Sequence, residues 1–396
     1  MQNLTLQMRI YKADWVYPVS SSPIKNGIVI TSDQGCILDV LHDEQVEYAA
    51  ALENAEKVDG VICPGFVNTH CHIELSYLHK HLQKHTGLTG FISELQKNRT
   101  SFSAEIIEFE IQKALQEMQQ NGIVAVSDIC NGNSTLSAKT KSSLYTHSFI
   151  ELFGFDPLKA TTIFENGLEL YTQFKQAGLP TSITPHAPYS TSFKLMQLIV
   201  EHCKLNNQAL SIHNQESEDE NELYLSKKGK FAELLRHFGY DLSHWSFSAT
   251  RSLPGYFEFI RSENPTLLVH NTYSSASDIQ YVAAKNVFFC CCPNANLYIE
   301  NTLPDLTVLI NEKVQLTLGT DSLASNHQLC IWEEIKTIHR QFPALSLHTV
   351  LNWATLNGAR FMRIDEKFGS LEKGKTPGIV ALQGGANFTG SAIKLV

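Results

Sequence analysis

The chain has 396 residues, of which 43% are hydrophobic and 18% charged, and its net charge is −9. This is the balance of a globular protein with ample material for a core, and the acidic surplus argues against nucleic acid as a partner. No apolar run approaches the roughly 18 residues of a membrane span, so no membrane role is expected.

The start of the chain, Met1 to Trp15, has neither the basic start nor the apolar stretch of a secretory signal. The nine cysteines are odd in number and include no CxxC pair. They read as free thiols in a reducing, cytoplasmic setting. Cys290, Cys291 and Cys292 sit on one apolar run and read as small buried hydrophobes.

Residues 1–60 are short, alternating and turn-rich. Met8–Tyr11, Gly27–Ile30 and Cys36–Val40 read as strands, too few to bury a core alone. From Val61 the texture changes to strand followed by helix. Val61-Ile62-Cys63-Pro64-Gly65-Phe66-Val67-Asn68-Thr69-His70-Cys71-His72 is an apolar run, broken by a Pro-Gly pair, that ends in two histidines one residue apart. On a strand such residues face the same side.

After a loop from Leu75 to His85, the pattern predicts helices over 89–99 and 103–120. In the second, Ile106, Ile107, Phe109, Ile111, Leu115 and Met118 form an apolar stripe. Ile123–Asp128 and Tyr145–Phe155 follow as strands, and 163–177 as a helix stopped by Gly178. Strand ends then recur at Ser182–His186, Ala209–His213, Leu267–His270, Val287–Pro293 and Leu316–Asp321.

About eight strands alternating with helices predict an α/β fold, a (β/α)8 TIM-type barrel over 61–366. An open doubly wound sheet is the alternative, but no glycine-rich phosphate loop favours it. The tail, 367–396, returns to short strands. It is expected to join 1–60 in a small β-sandwich domain formed by the N- and C-terminal segments.

In a parallel barrel all strand C-termini face one mouth. His70, His72, His213, His270 and Asp321 stand at such ends. Three imidazoles and a carboxylate can hold a d-block cation and leave room for a water. A lone histidine is more often a hydrogen-bonded core residue; a series of them at β/α junctions is not.

Glu216, three residues after His213, suits a proton shuttle, with helix capping as its bland alternative. Asp321 can take a proton from the water. The rest of the acidic run, Glu218 to Glu222, reads as a solvated helix start. His186 lies between Pro185 and Pro188 and suits substrate contact.

These segments resemble the amidohydrolase superfamily, in its branch of aromatic deaminases and chlorohydrolases. The motifs are Pro64–His72, Thr184–Ser190, His213-Asn214-Gln215-Glu216, Val269-His270-Asn271, Leu318–Asn326 and Gly369–Lys375. The resemblance implies one divalent metal, zinc or alternatively iron, held by His70, His72, His213 and Asp321. It implies that His270 hydrogen-bonds the activated water, that Glu216 moves a proton to a ring nitrogen and that Asp321 assists. It also implies a small heterocyclic substrate, with a homodimer as the common assembly.

Two motifs depart from the pattern. Cys292-Pro293-Asn294-Ala295-Asn296 stands where the family often has Cys-Pro-Arg-Ser-Asn, which bears on substrate identity, and Thr376-Pro377 stands where Ala-Asp is usual. Glu151 lies near the place where binuclear relatives carry a bridging ligand, which raises a second metal as an option.

The function expected is hydrolytic deamination of an amino-substituted purine, nucleoside or related ring, including aminodeoxyfutalosine, with release of ammonia. Cleavage of an amide or carbon–halogen bond at the same site is the alternative, and an inactive binding protein on the same barrel is a third reading.

Overall fold

The computed structural model describes residues 8–243, 250–260, 263–282 and 286–396. Residues 1–7, where the expected amino-terminal unit begins, lie outside them. The chain forms two compact units. One holds the chain through Asn68, Gln116–Val126 and Cys330–Val396; the other holds Thr69–Leu115 and Ser127–Leu329.

The first unit contains a seven-stranded sheet. Its strands are β1 (Met8–Val16), β2 (Ile24–Lys25), β3 (Ile28–Ser32), β4 (Ile37–Leu41), β5 (Glu56–Pro64), β14 (Ile379–Leu382) and β15 (Ala392–Lys394), in the order β15-β14-β5-β1-β3-β4 with β2 on β1. β14 lies antiparallel to β5, with Val380 opposite Cys63, so strands from both ends of the sequence share this sheet. Tyr11, Val16, Val29, Ile62, Leu371 and Ile379 pack into its core. Each such side chain contributes about 1.5–3 kcal/mol by leaving water.

Two four-stranded sheets carry the α/β part. One is β6 (Phe66–Cys71), β7 (Ile123–Cys130), β8 (Tyr145–Leu152) and β9 (Thr181–Pro185); the other is β10 (Leu210–Asn214), β11 (Thr266–His270), β12 (Val287–Cys291) and β13 (Gln315–Leu318). The pairs β8–β9, β10–β11, β11–β12 and β12–β13 are parallel. Their residues are buried on both faces, as in Leu267-Leu268-Val269, which explains runs that are apolar without alternation.

Edge strands of the two sheets meet at both sides. Ser211 donates its backbone N–H to Thr184 Oγ1 at 2.8 Å, and His213 donates to the His186 carbonyl at 2.9 Å. Thr69 Oγ1 donates to the Leu318 carbonyl at 2.9 Å, and Thr320 N donates to the His70 carbonyl at 3.1 Å. The register sets Asn214 beside His270, so the strand ends that bear histidine lie level.

Some elements differ from the sequence-based expectation. Leu75 is not in a loop but in a 3-10 helix, Ile73–Leu78. In the helix Ala104–Gln120, Ile111, Leu115 and Met118 are buried, but Ile106 is 47% and Phe109 62% exposed. The buried stripe runs through Ile111, Ala114, Leu115 and Met118, and Ile106 and Phe109 fall outside it. The cysteine run 290–292 is buried, and all nine thiols are free. Among the described residues no helix is long and apolar enough to cross a membrane.

Candidate metal centre

The ends of β6, β10, β11 and β13 bring five of the sequence-predicted residues together. One ring nitrogen from each of His70, His72 and His213 lies within 4.8 Å of the others. His72 Nε2 is 3.3 Å from His213 Nε2. Asp321 Oδ1 stands 3.6 Å from both His70 Nε2 and His72 Nε2. All four residues are buried.

The ring orientations follow from their supports. His213 Nδ1 lies 2.8 Å from the His186 carbonyl. An N–H donated there leaves the Nε2 lone pair free, turned toward His72. Burial lowers the basicity of His213 to about 4 and that of His72 well below the usual range, and neighbouring imidazoles add to both effects. Such rings stay neutral, the form that ligates a metal. Burial also depresses His70, but the hydrogen bond and charge of Asp321 outweigh it and raise that ring. Burial works to raise Asp321, but hydrogen bonding to His70 and the charges of His72, His270 and His70 hold it well below the ordinary carboxylate range.

Backbone geometry fixes Asp321. Both Thr320 N and Asp321 N donate to the His70 carbonyl at 3.1 Å, and Asp321 adopts φ +54°. Gln215, His270 and Asn271 also take positive φ, at +44°, +74° and +58°. Left-handed backbone at non-glycine residues is costly and gathers where side chains must be aimed. Gly319 is required for the approach of β13 to β6, since a Cβ there would lie 2.8 Å from the His70 carbonyl oxygen. Ser325 Oγ donates to Asp321 Oδ2 at 2.6 Å, which secures the second carboxylate oxygen.

Glu216 and His270 stand beside this cluster, with His270 Nε2 3.6 Å from Glu216 Oε2. Burial pushes the Glu216 carboxyl well up, and Asp321, Glu300 and Glu220 reinforce it by like charge. Burial lowers His270 well below the usual range. Asn296 Nδ2 lies 3.2 Å from His270 Nδ1 and donates to Thr272 Oγ1 at 2.9 Å. Donation to Nδ1 leaves the imidazole proton on Nε2, facing Glu216. Asn296 closes the Cys292–Asn296 segment, and this contact holds His270.

His186 sits on the far side of His213, with ring centroids 4.8 Å apart and its Nδ1 2.6 Å from Ser190 Oγ. It lines a cavity of about 190 Å³ with His72, Glu151 and a set of aromatic side chains.

The sequence matches the amidohydrolase family over residues 61–393. The chain belongs to that family. This amidohydrolase is therefore a hydrolase of carbon–nitrogen bonds. It is 25% identical over 292 residues to an aminodeoxyfutalosine deaminase of Nitratiruptor, covering 72% of this chain and 69% of the relative. It is 26% identical over 380 residues to a 5-methylthioadenosine/S-adenosylhomocysteine deaminase of Bacillus cereus, covering 91% and 81%. The fold is shared with the Helicobacter pylori aminofutalosine deaminase solved with methylthio-coformycin, at TM-score 0.78 and 22% identity over 94% of this chain and 91% of the other. It is shared too with an atrazine chlorohydrolase of Arthrobacter aurescens solved with zinc, at TM-score 0.73 and 15% identity over 94% and 86%.

Sequence reasoning missed the support beneath the histidines. Asp128 Oδ1 accepts the backbone N–H of Ile73 at 2.8 Å, just after His72. Asp128 pairs with Lys139, and both side chains are fully buried. Lys139 Nζ also reaches Ser148 Oγ at 2.9 Å and Cys130 Sγ at 3.1 Å, so all three of its donors are used. Asp128 at the end of an expected strand was the available signal. Lys139, in a short helix, gave none. The acidic run is also less uniform than expected: Glu218 and Glu222 are exposed, but Glu220 is fully buried and accepts from Gln215 N and Ser252 Oγ.

Proposed function

We propose that the amidohydrolase is a metal-dependent deaminase of an amino-bearing purine nucleoside or a related ring. The observation that carries this is the convergence of His70, His72, His213 and Asp321 next to the buried carboxyl of Glu216, which burial pushes well up.

The donor set fits one divalent ion. His72 Nε2 and His213 Nε2 lie 3.3 Å apart, close enough for both lone pairs to turn on one cation, and Asp321 Oδ1 stands 3.6 Å from His72 Nε2. Nitrogen and carboxylate donors suit zinc, with iron as the alternative. His70, His72, His213 and Asp321 would hold it. When bound, the cation supplies Lewis acidity that lets a water lose a proton near neutral pH.

The protein groups do the rest. Asp321 accepts the proton that the water loses. Glu216 gives its proton to a ring nitrogen beside the amino-bearing carbon, making that carbon electrophilic. His270, locked by Asn296, donates its Nε2 proton toward the attacking oxygen and holds it in line. A proton is then returned to the leaving nitrogen, so the amino compound and water give a carbonyl compound and ammonia. His186 contacts the substrate from the cavity side.

The same reading extends to architecture. We take the bonds of β9 to β10 and of β13 to β6 as the seams of a closed (β/α)8 barrel over 61–366. We take 1–60 and 367–396 as the small β-sandwich domain. The names of the curated relatives support an adenosine-like substrate, with aminodeoxyfutalosine and 5-methylthioadenosine as the first candidates.

The test is ammonia release by zinc-loaded protein from a panel of adenosine-type nucleosides. Release from at least one of them is expected. Chloride or a carboxylate from triazine or amide substrates, with no ammonia from any amino-heterocycle, would replace deamination by the alternative hydrolysis.

A further inference from the structure

Glu151 ends β8 and lines the cavity that contains His72 and His186. Its side chain is 96% or more withdrawn from water, since the residue is only 4% exposed. Oε2 accepts from Asn131 Nδ2 at 2.9 Å. Oε1 has no hydrogen-bond partner. The nearest ring nitrogen, His213 Nδ1 at 3.5 Å, already faces the His186 carbonyl at 2.8 Å, so its proton is committed elsewhere.

Among the described residues no Lys or Arg forms an ion pair with Glu151, and the charge of Arg99 reaches it only at longer range. Arg99 is the one Lys or Arg among the described residues lining the cavity, and its Nη2 lies 3.6 Å from Glu74 Oε1. Apolar side chains, Phe153 and Phe231 among them, line much of the same cavity. A buried carboxylate oxygen without a donor is costly to keep. Such a group persists where an occupant supplies the donor.

We propose that Glu151 is a substrate-binding carboxylate that recognises a hydrogen-bond donor, a hydroxyl or a protonated amine, on the arm attached to the heterocycle. The assignment rests on the deaminase reading for what the heterocycle is. It places the reacting amino group on the Glu216 side of His213 and the donor-bearing arm on the Glu151 side. Aromatic walls beside a carboxylate suit either donor, through stacking for a sugar and through cation–π contact for an ammonium.

The experiment compares three substrates sharing one ring: 9-ethyladenine, whose arm has no donor, adenosine, whose arm has hydroxyls, and 5′-amino-5′-deoxyadenosine, whose arm also has an ammonium. Kinetics by ammonia release are run on zinc-loaded wild type, Glu151→Gln and Glu151→Leu, with calorimetric binding of the same three compounds, zinc content and thermal unfolding alongside. The wild type should prefer one donor-bearing substrate over 9-ethyladenine by about tenfold or more in kcat/KM, chiefly through KM, the size expected of a hydrogen bond to a charged group. Glu151→Leu should erase that ratio. Glu151→Gln, which keeps a carbonyl acceptor, should retain a preference for hydroxyl but lose one for ammonium.

An unchanged ratio in a folded Glu151→Leu protein overturns the proposal. So does a second zinc per chain that disappears in this variant, which makes Glu151 a metal ligand with His186 and His213. If no ammonia is released but calorimetry shows the Glu151-dependent preference, deamination fails while this inference stands.

Discussion

Ile73 donates its backbone N–H to Asp128 Oδ1 at 2.8 Å, so the turn that carries His72 hangs from a carboxylate whose charge Lys139 balances. Asp128 and Lys139 belong to β7 and the helix that follows it, Ser148 to β8. One buried ammonium therefore ties two strands and a helix together behind the converging histidines.

Replacing Lys139 by Met removes that ammonium and leaves Asp128 buried without a cation. Loss of one partner of a buried pair costs about 3–5 kcal/mol. Urea unfolding of Lys139→Met should show a loss of that order. Zinc affinity, read by chelator competition, should fall by about 10–100-fold, as is common when support behind a ligand is lost. Wild-type values for both would mean that the pair does not position His72.

Glu216→Gln keeps the size and hydrogen-bonding shape of the side chain but cannot exchange a proton. Turnover should drop by about 10²–10⁴-fold, the range for a lost general acid–base. Zinc content should stay at the wild-type level, because Glu216 is not among the converging donors. Undiminished turnover would remove Glu216 from the proton path.

Glu220 gives a pH dependence of stability. Burial, opposed by hydrogen bonds from Ser252 and Gln215, pushes its carboxyl up to about 7. In the unfolded chain it titrates near 4.5. Between those values the folded state holds a proton that the unfolded state has released, so this group's contribution weakens as pH rises. Relative to Glu220→Gln, the wild type should lose about 1.4 kcal/mol per pH unit across that window. Paired urea titrations at pH 5 and pH 7 measure it; a difference between the two proteins that stays constant would contradict it.

Much of the candidate site was legible because a strand repeats every two residues and parallel strands end at one level. His70 and His72 share a face for the first reason, and His213, His270 and Asp321 join them for the second. Glu216 was legible from its place just past His213. The supports were not. Asp128 and Ile73 are 55 residues apart, and no local period links them. Glu151 was noticed as an optional metal ligand, but the lack of a donor for its Oε1 exists only in three dimensions. Ile106 and Phe109 show the opposite failure: helical spacing marks a stripe but not its edges, and these two fall outside it.

The account stands on one divalent ion shared by His70, His72, His213 and Asp321. Inductively coupled plasma mass spectrometry of wild type, His72→Ala and His213→Ala, each saturated with zinc and freed of excess, tests it most directly. One zinc per chain in the wild type and a residual well below one in both variants is the predicted result. Equal zinc in all three proteins, or none in any, would contradict it.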